Sequence, residues 1–416
     1  MSSPSEMAAT SHQPTTPSTN YGAYQTEIYK QGADSGLVPI VTTNPVCLEN
    51  QAKQVLDPRA YSFVAGGAGE KATMEANRLA FRRRKLVMKP MDKQSLETSL
   101  FGTTYPTPLI VAPMGAQSLM HADKETGVAE VCGELGIPYT LSTASSASIE
   151  DVADTNGPGN PRWFQLYWTH DEEILLSLMD RAKRTGYDVL VVSLDTWTLG
   201  WRPEILDHGY FPWLMGVGND VGFTDPVFRA KFEKVTGVSV EDDVMGAAKA
   251  WVAELDDRPH TWAQVEFLRR HWEGPIVLKG IQHVDDARRA VETGCQGIVV
   301  SNHGGRQVDG AIGALDVLPE IVDAVGDKVT VMFDSGVRTG ADVMKALCLG
   351  AKAVLVGRPV LYGLAVNGKL GARAVLQGLL AELWQTMGLA GMETVADCRR
   401  ECLRTVKYPG ELKSKL

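Results

Sequence analysis

Residues 329–359 read VTVMFDSGVRTGADVMKALCLGAKAVLVGRP. Two short apolar runs rich in β-branched residues flank the stretch GADVMKALCLG (residues 340–350), whose apolar residues recur at helical spacing and which ends in glycine. A strand, a helix and a second strand in this order are typical of a unit with parallel strands joined by a crossover helix. The segment therefore predicts an α/β protein.

The same pattern repeats along most of the chain, with helical stretches such as DDARRAVETG (residues 285–294) between the apolar runs. Eight strand–helix repeats over roughly 250 residues predict a closed (β/α)8 barrel of the triosephosphate isomerase type, and an open doubly wound sheet is the alternative. The predicted strands are Leu109–Pro113, Tyr139–Ser142, Trp163–Tyr167, Val189–Asp195, Pro275–Gly280, Gly297–Asn302, Val329–Ser335 and Ala353–Pro359.

One connection is far longer than the others. Residues 196–274 separate the fourth and fifth predicted strands, whereas most connections between elements span only a few residues. A long insertion at the catalytic end of a barrel predicts a lid or a binding loop. An assembly contact is the other interpretation, and the two are compatible.

Composition excludes several classes of function. Of the 416 residues, 44% are hydrophobic and 22% are charged, and the net charge of −9 offers no basic stripe for nucleic acid. The sequence contains no window of about 18 apolar residues and no secretory leader, so we expect neither a membrane span nor secretion. The six cysteines lack the paired spacing of a metal site, so we expect reduced thiols and no bound metal.

The two ends of the chain carry separate expectations. Residues 1–20 are rich in Ser, Thr and Pro and have little to bury, so we expect a disordered tail before a barrel domain over residues 21–416. The last three residues, Ser414, Lys415 and Leu416, form a tripeptide that the peroxisomal import receptor reads at a free C-terminus. The expected location is therefore the peroxisome.

In barrels of this type the active site lies at the carboxyl ends of the strands and in the loops that follow them. Polar and glycine residues at these positions are therefore candidates for the site. They are Gly115, Ser142, Gln165, Tyr167, Asp195, Lys279, His303, Arg306, Asp334, Arg338 and Arg358.

The sequence SNHGGRQ (residues 301–307) directly follows the sixth apolar run and places His303 and Arg306 at the barrel mouth. The glycine pair lets the backbone approach a ligand closely, and an arginine can hold a carboxylate with two hydrogen bonds. Because imidazole titrates near neutral pH, we expect His303 to take a proton from a substrate α-carbon or hydroxyl. A buried carboxylate such as Asp195 would stabilise the imidazolium.

Two glycine-containing turns, each with an arginine, end the last two predicted strands: FDSGVRTGADV (residues 333–343) and LVGRP (residues 355–359). Backbone N–H groups and a helix N-terminus at this place in a barrel bind phosphate. The phosphate could belong to a substrate or to a flavin. No dinucleotide fingerprint follows the first strand, so a mononucleotide is favoured.

Taken together, SNHGGRQ, FDSGVRTG with GRP, and LKG (residues 278–280) resemble the FMN-dependent 2-hydroxy-acid oxidases and dehydrogenases over nearly all of residues 21–416. Further stretches resemble the lactate 2-monooxygenase branch of that family. These are YQTEIY (residues 24–29), VAGGAG (64–69), LDTWTLGWRP (194–203), TDPVF (224–228) and KGIQHVDDARRAV (279–291).

The resemblance implies that His303 is the catalytic base and Asp195 its partner. It further implies that Arg202 and Arg306 hold the substrate carboxylate and that Tyr167 hydrogen-bonds to the substrate hydroxyl. FMN and a homotetramer are implied in the same way.

The resemblance also places Lys279 near the flavin N1–C2 carbonyl, where a fixed cation stabilises the negative charge of the reduced ring. Ser142 and Gln165 would bind the isoalloxazine edge, and residues 113–115 would pass beside N5. The implied cofactor-binding residues are Pro113, Met114, Gly115, Ser142, Gln165, Ser193, Lys279, Ser301, Asp334, Gly336, Arg338, Gly357 and Arg358.

One position departs from the family pattern. Alignment of VAGGAG puts Phe63 where the family has a tyrosine that donates a hydrogen bond to the substrate carboxylate, and Tyr61 would point elsewhere on the same helix. An apolar Phe63 with Gly115 beside the flavin suggests a substrate bulkier or more apolar than glycolate.

These features predict an enzyme that transfers two electrons from an L-2-hydroxy acid to FMN and then to O2. If the 2-oxo acid stays in the site, peroxide decarboxylates it, and the resemblance to the lactate 2-monooxygenase branch favours this outcome. The alternative is that the 2-oxo acid leaves first, so that the products are the 2-oxo acid and H2O2, and a peroxisomal location fits this alternative. A specialised-metabolite oxidase acting on a bulkier acid or an amine is a third interpretation, and a catalytically inactive flavin-binding or assembly protein is a fourth.

Overall fold

The computed structural model describes residues 20–89, 94–255 and 259–407. Its strands are β1 (Arg84–Leu86), β2 (Thr98–Leu100), β3 (Thr103–Tyr105), β4 (Leu109–Val111), β5 (Tyr139–Ser142), β6 (Arg162–Leu166), β7 (Val189–Ser193), β8 (Ile276–Ile281), β9 (Gly297–Val300), β10 (Thr330–Phe333), β11 (Val354–Val356) and β12 (Leu403–Thr405).

Strands β4 to β11 form a closed parallel barrel in chain order. Strand β11 pairs with β4 through Val354↔Leu109, Leu355↔Ile110 and Val356↔Val111, and this pairing closes the sheet on itself. All eight predicted strands are present, each within a few residues of the expected bounds. The predicted (β/α)8 barrel is confirmed, and the open doubly wound alternative is excluded.

Helices surround the barrel, and those from α5 to α15 lie in the connections between its strands. They are α1 (Ala23–Ser35), α2 (Pro45–Val55), α3 (Pro58–Ala65), α4 (Ala72–Arg83), α5 (Lys124–Leu135), α6 (Ile149–Asn156), α7 (Glu172–Arg184), α8 (Pro203–Leu206), α9 (Asp220–Phe223), α10 (Pro226–Thr236), α11 (Val244–Leu255), α12 (Trp262–His271), α13 (Val284–Glu292), α14 (Ala314–Val325), α15 (Gly340–Cys348) and α16 (Arg358–Leu389).

Local sequence sets the ends of these helices. Helix α15 begins at Gly340 because the Thr339 side chain accepts a hydrogen bond from the backbone N–H of Asp342, an N-cap contact. The chain leaves the same helix through Gly350, whose φ of 108° lies outside the range that L side chains favour. Helix α16 is interrupted at Asn367 and Gly368, where the backbone angles are not helical.

The barrel is filled by its own side chains and is closed at one end. Apolar residues that alternate along the strands, such as the fully buried Ile110, Val191 and Met332, form an inner cluster. The hairpin β2–β3 adds Phe101 to this cluster, and its ring lies 6.0 Å from that of Trp163. Since the hairpin precedes β4 and packs at the amino ends of the strands, a ligand site has to lie at the opposite end.

The long connection between β7 and β8 is mostly helical and contains α8 to α12 with a 3-10 turn at Pro212–Met215. It is fixed to the barrel layer by the buried ion pair between Arg181 of α7 and Asp225, 3.3 Å apart. Close to the barrel mouth, the N–H of Asp220 donates to the Ser145 carbonyl after β5 (3.0 Å). The segment therefore lies over the carboxyl end of the barrel, where the sequence predicted a lid or binding loop.

Residues 1–19 and 408–416 lie outside the described residues. The predicted disordered tail, apart from its last residue, and the C-terminal tripeptide therefore stay predictions. All six cysteines are free thiols. In the described part of the chain no helix is long and apolar enough to cross a membrane.

Candidate active site

A cavity opens at the carboxyl ends of the barrel strands, opposite the β2–β3 hairpin. Its floor and sides come from residues that follow the strands, and its outer wall comes from α3 and from the β7–β8 connection. Most of the predicted site residues line it, whereas Asp195, Gln165, Ser193 and Ser301 lie directly behind this lining.

A histidine–carboxylate pair belongs to this site: His303 lines the cavity, and Asp195 contacts His303 from behind the lining. His303 Nδ1 lies 2.9 Å from Asp195 Oδ1 and 3.1 Å from Thr196 Oγ1, and the Thr196 hydroxyl also donates to Asp195 Oδ1 (3.0 Å). His303 has a left-handed φ of 55°, a conformation that costs free energy in a non-glycine residue. In Gly304, φ is also positive, and a Cβ there would lie 2.9 Å from Arg358 Nη1, so a side chain at this position would strain the backbone and require Arg358 to shift.

The electrostatics of this pair suit a base that rests neutral. Burial lowers the pKa of His303 below its ordinary value, and the cations Lys279 and Arg202 add to this effect, while Asp195 opposes it. For Asp195, burial favours the neutral acid. The charges of His303 and Lys279 and the hydrogen bonds to the carboxylate outweigh burial and hold the pKa of Asp195 low. Because Nδ1 faces a carboxylate that only accepts, Nδ1 carries the proton and Nε2 is free to accept one.

Two arginines from different elements meet beside this pair. Arg202 donates from Nε to the Arg306 carbonyl (2.8 Å) and from Nη2 to Gln307 Oε1 (2.7 Å). Arg306 donates from Nη1 to the Gly66 carbonyl (2.9 Å). Neither guanidinium forms an ion pair with a carboxylate among the described residues. Burial lowers the pKa of Arg306 well below its ordinary value, and repulsion from the charges of Arg202 and Arg358 adds to this effect.

Phe63 lies at the arginine end of the cavity. It belongs to the inward face of α3 and is 5% exposed, and the Arg306 guanidinium lies over its ring, 5.6 Å from the centroid. Tyr61 faces away from the cavity, because its hydroxyl donates to Glu49 Oε1 at 3.0 Å. The ring at position 63 therefore contacts the arginine that was predicted to hold the substrate carboxylate.

Tyr167 follows β6 and also lines the cavity. Burial and the charge of Asp195 raise the pKa of Tyr167, so its hydroxyl stays protonated and able to donate a hydrogen bond.

Ser142 and Gln165 are neighbours in the register of β5 and β6. The Ser142 hydroxyl donates to Gln165 Oε1 (2.9 Å), which leaves Gln165 Nε2 buried with no hydrogen-bond partner among the described residues. A buried N–H donor in this state costs free energy unless a ligand carbonyl accepts from it.

Lys279 is buried at the end of β8. Its Nζ lies 3.0 Å from Asp334 Oδ2 and donates to Ser301 Oγ (3.1 Å), and Ser193 lies beside it in the register of β7. Burial works against the charge of Lys279, but the carboxylates of Asp334 and Asp195 outweigh burial and raise the pKa of Lys279. A permanent positive charge therefore stands at the bottom of the site.

The loop after β4 passes close to the loop after β5. A Cβ on Gly115 would lie 2.4 Å from the Ala144 carbonyl oxygen, and the Ala116 N–H donates to that same oxygen (2.8 Å). Pro113, Met114 and Gly115 line the cavity from this side, where the resemblance places the flavin N5 edge.

The loops after β10 and β11 form the predicted phosphate end. Arg338 follows the left-handed Ser335 and Gly336, and burial, together with the nearby Arg358, lowers the pKa of Arg338 to about 10. Gly357 precedes the N-terminus of α16 and lines the cavity. Arg358 also lines the cavity, and three of its N–H groups donate to the carbonyls of residues 64, 66 and 304, each at 2.9 Å, so its role at the phosphate stays a prediction.

The residues present fit FMN. The unpaired Gln165 amide N–H and the charged Lys279 suit the carbonyl edge of a flavin, and Gly115 lets the loop after β4 pack closely against Ala144. Arg338, the backbone of residues 335–337 and the N-terminus of α16 suit a phosphate. Among the described residues no carboxylate pairs with Arg338.

Sequence reasoning missed several residues of the site. Thr196 hydrogen-bonds to both members of the histidine–carboxylate pair. Gln307, the last residue of SNHGGRQ, accepts from Arg202 and donates to the Asp195 and Thr198 carbonyls. Trp213 and Asn219 line the cavity from the long insertion. Thr196 and Gln307 had a signal in the sequence, because they lie within the quoted stretches LDTWTLGWRP and SNHGGRQ.

Comparison with known proteins agrees with this geometry. The family model of FMN-dependent dehydrogenases matches residues 52–405. An FMN-dependent alpha-hydroxy acid dehydrogenase of Penicillium citrinum is 71% identical over 403 residues, which cover 96% of this chain and all of that protein. A 4-hydroxymandelate oxidase of Amycolatopsis orientalis is 41% identical over 85% of this chain and 96% of its own. The crystal structure of a lactate oxidase of Pediococcus acidilactici superposes with a TM-score of 0.77 at 33% identity, covering 88% of this chain and 95% of that one.

Proposed function

Because the chain belongs to the family of FMN-dependent α-hydroxy-acid dehydrogenases and oxidases, we propose that it oxidises an L-2-hydroxy acid to the 2-oxo acid with O2 as the final acceptor. The observation that carries this proposal is the His303–Asp195 pair, 2.9 Å apart, whose imidazole lines a cavity together with two arginines that pair with no carboxylate of the described residues. A base and a carboxylate clamp are the two groups that a 2-hydroxy acid requires.

In the proposed reaction His303 takes a proton from the substrate. Its neutral imidazole offers Nε2 as the acceptor, since Nδ1 is committed to Asp195. As the imidazole gains charge, the carboxylate of Asp195 stabilises the imidazolium at hydrogen-bonding distance. Thr196 holds Asp195 from the other side and is a positioning residue.

Arg202 and Arg306 are proposed to bind the substrate carboxylate. Each guanidinium is oriented by hydrogen bonds to protein carbonyls or to Gln307, and each retains N–H groups without a described partner. The Tyr167 hydroxyl, which stays protonated, is proposed to donate to the oxygen at the substrate α-carbon. These contacts orient the α-carbon with respect to His303.

FMN, when bound, supplies the two-electron acceptor of the reaction. Its carbonyl edge would be held by Gln165 and Lys279, and its phosphate would be held by Arg338. The fixed charge of Lys279 favours an electron-rich ring next to it.

The fate of the product has two possibilities. Release of the 2-oxo acid before O2 reacts gives the 2-oxo acid and H2O2, and the relatives that are named oxidases support this outcome. Retention of the 2-oxo acid lets peroxide convert it to the shortened acid, CO2 and water, the monooxygenase outcome. The segment of residues 196–219 supports retention, because it lies over the cavity.

The test is anaerobic mixing of the FMN-loaded protein with a panel of L-2-hydroxy acids from lactate to mandelate, with flavin absorbance as the readout. Bleaching by at least one of these acids is expected, and the D-enantiomers are the control. Absence of bleaching by every acid would overturn the proposal. Product analysis in air then separates the 2-oxo acid with H2O2 from the decarboxylated acid.

A further inference from the structure

The outer wall of the cavity is aromatic. Phe211 and Trp213 of the long insertion line it, with ring centroids 5.1 Å apart, and the Trp213 ring lies 5.4 Å from that of Phe63. Both aromatic pairs meet edge to face, and the Arg306 guanidinium lies over the Phe63 ring. A substrate whose carboxylate binds at Arg306 therefore extends its side chain along an aromatic surface.

Two polar atoms within this wall are buried and have no hydrogen-bond partner among the described residues: Asn219 Oδ1 and Trp213 Nε1. Asn219 is fully buried, and its Nδ2 donates to the Trp213 carbonyl at 2.7 Å. Since a carbonyl only accepts, this contact fixes the orientation of the Asn219 amide, and Oδ1 is the atom left over. The indole N–H of Trp213 can only donate.

Both side chains are held in place by the backbone around them. Gly218 has φ of 82°, and a Cβ on it would lie 2.8 Å from the Ala144 carbonyl oxygen and 3.0 Å from Trp213 Nε1. The next contact along the chain is the hydrogen bond from the Asp220 N–H to the Ser145 carbonyl. The segment therefore lies directly on the loop after β5, and its acceptor and donor are positioned before any substrate binds.

We propose that Asn219 and Trp213 recognise the side chain of the substrate, and that this side chain is a flat apolar group that carries both a hydrogen-bond donor and an acceptor. Amides, lactams and nitrogen heterocycles with an adjacent carbonyl have this chemistry, whereas the methyl group of lactate does not. The inference rests on the proposed oxidation of a 2-hydroxy acid at His303. It goes further by naming a class of substrate, which follows from Asn219 Oδ1, Trp213 Nε1 and the apolar ring of Phe63.

The experiment uses pairs of probes that match in shape and differ in polarity. One member is a 3-(carbamoylphenyl)-2-hydroxypropanoic acid, and the other is the 3-(isopropylphenyl) analogue, both as meta and para isomers. The measured quantity is the concentration that half-saturates anaerobic flavin reduction. At least one carbamoyl isomer is expected to require a concentration at least about tenfold lower than its isopropyl partner. The isopropyl group leaves the buried Trp213 N–H and Asn219 Oδ1 without a hydrogen-bond partner, which weakens its binding.

Two variants connect this preference to the proposed atoms. Asn219→Leu keeps the approximate shape and removes the acceptor, and Trp213→Phe keeps an aromatic ring and removes the N–H. Each is expected to reduce the carbamoyl preference by at least about threefold, and exposed Asn50→Leu is the matched control. FMN content and the unfolding temperature of each variant report whether it has folded.

The outcomes separate the two proposals. Reduction by the isopropyl acids at concentrations equal to or lower than those of their carbamoyl partners overturns the inference and leaves the proposed function standing. A preference that survives in both folded variants overturns the assignment to Asn219 and Trp213. Failure of every 2-hydroxy acid, lactate and mandelate included, overturns the proposed function itself.

Discussion

His303 has a strained backbone conformation, and its Nδ1–H is directed at Asp195. Its φ of 55° turns the imidazole from the end of β9 towards Asp195, across the segment that follows β7. Glycine at position 304 then lets the chain pass Arg358 at close range. Strain of this kind persists where surrounding contacts hold it, and here the contacts are the hydrogen bonds to Asp195 and Thr196 and that from the His303 N–H to Ser301 Oγ.

Replacement of His303 tests the proposed base directly. We expect His303→Gln to retain FMN and to reduce the flavin at least about a thousandfold more slowly with any substrate, because general base and developing charge are both lost. Anaerobic stopped-flow absorbance measures the rate, and exposed His283→Gln is the control. A near-normal rate in the His303 variant would remove it from the mechanism.

Phe63 tests the geometry of the carboxylate clamp. A phenolic hydroxyl at this position would add a donor beside Arg306, and a hydrogen bond to a charged group is worth roughly 1.5–3 kcal/mol. We therefore expect Phe63→Tyr to bind lactate about ten- to a hundredfold more tightly and to disfavour bulky apolar acids.

Tyr61→Phe is the matched control for this change, because its hydroxyl bonds to Glu49 outside the cavity. Half-saturating concentrations in anaerobic reduction provide the comparison. Weaker lactate binding in Phe63→Tyr, with larger acids unaffected, would mean that position 63 does not face the carboxylate.

At the scale of elements, a buried carboxylate connects two loops that line the cavity. Glu125 of α5 is fully buried, and Oε1 accepts from the N–H groups of Gln117 and Ser146 at 3.0 and 2.9 Å. Gln117 in turn donates to the Met114 carbonyl and to the Tyr139 hydroxyl, both at 3.1 Å. The loop after β4 and the loop after β5 are thus held together from behind.

This carboxylate makes stability depend on pH. Burial raises the pKa of Glu125 from 4.5 to about 7, against the backbone hydrogen bonds that lower it. The folded state therefore binds more protons than the unfolded state between about pH 4.5 and 7, and its stability falls as pH rises through that window. Across this window the free energy of unfolding falls by roughly 3 kcal/mol, because a change of one pKa unit corresponds to about 1.4 kcal/mol.

Glu125→Gln removes this titration and keeps an acceptor for the two N–H groups. We expect the stability of the variant, relative to the natural sequence, to rise with pH from about 4.5 to 7 and to stay level above that. Denaturant unfolding of the FMN-loaded proteins at several pH values measures it. Glu130→Gln, on the same helix, controls for loss of a partly exposed charge, and a difference that does not vary with pH would contradict the prediction.

The elements differ in how far their sequence predicted them. Each barrel strand was recognisable because β-branched apolar runs alternate with helices, and the site residues at their ends followed from the barrel geometry. The contribution of Trp213 and Asn219 was not predictable, because their position depends on how the insertion packs against the loop after β5. The carbonyl contacts of Arg358 join segments nearly 300 residues apart, which no local pattern reports.

At the scale of the whole molecule, the insertion exposes apolar side chains to solvent. Trp201 is 74% exposed and Met215 is 52% exposed. Such residues agree with the second interpretation of the insertion, an assembly contact. The homotetramer that the family resemblance implies stays a prediction.

The peroxisomal location also stays a proposal. The residues Ser414–Leu416 lie outside the described part of the chain, and the import receptor reads this tripeptide at a free end. A fluorescent reporter fused before Met1 is expected to enter peroxisomes, and one fused after Leu416 is expected to stay in the cytosol. Microscopy of both, with Leu416→Glu as the control, checks this, and the same diffuse signal from all constructs would refute the address.

The last prediction concerns the charge that the whole barrel concentrates at one end of the cavity. Arg338 follows β10 and is flanked by Arg358, and the pKa of about 10 for Arg338 shows that burial and a like charge both oppose its ionisation. A phosphate would relieve this opposition and would also accept from the backbone N–H groups at the start of α16. Riboflavin offers the same ring without the phosphate.

We therefore expect the protein to bind FMN noncovalently and at least about a hundredfold more tightly than riboflavin, since charge-assisted hydrogen bonds are each worth roughly 1.5–3 kcal/mol. Fluorescence quenching on titration of the flavin-free protein measures both affinities. Arg338→Met is expected to reduce the difference by about tenfold or more, whereas exposed Arg289→Met should leave it unchanged. Equal affinities in the natural sequence, or FAD as the flavin that copurifies, would contradict the assignment of this end of the barrel to the phosphate of FMN.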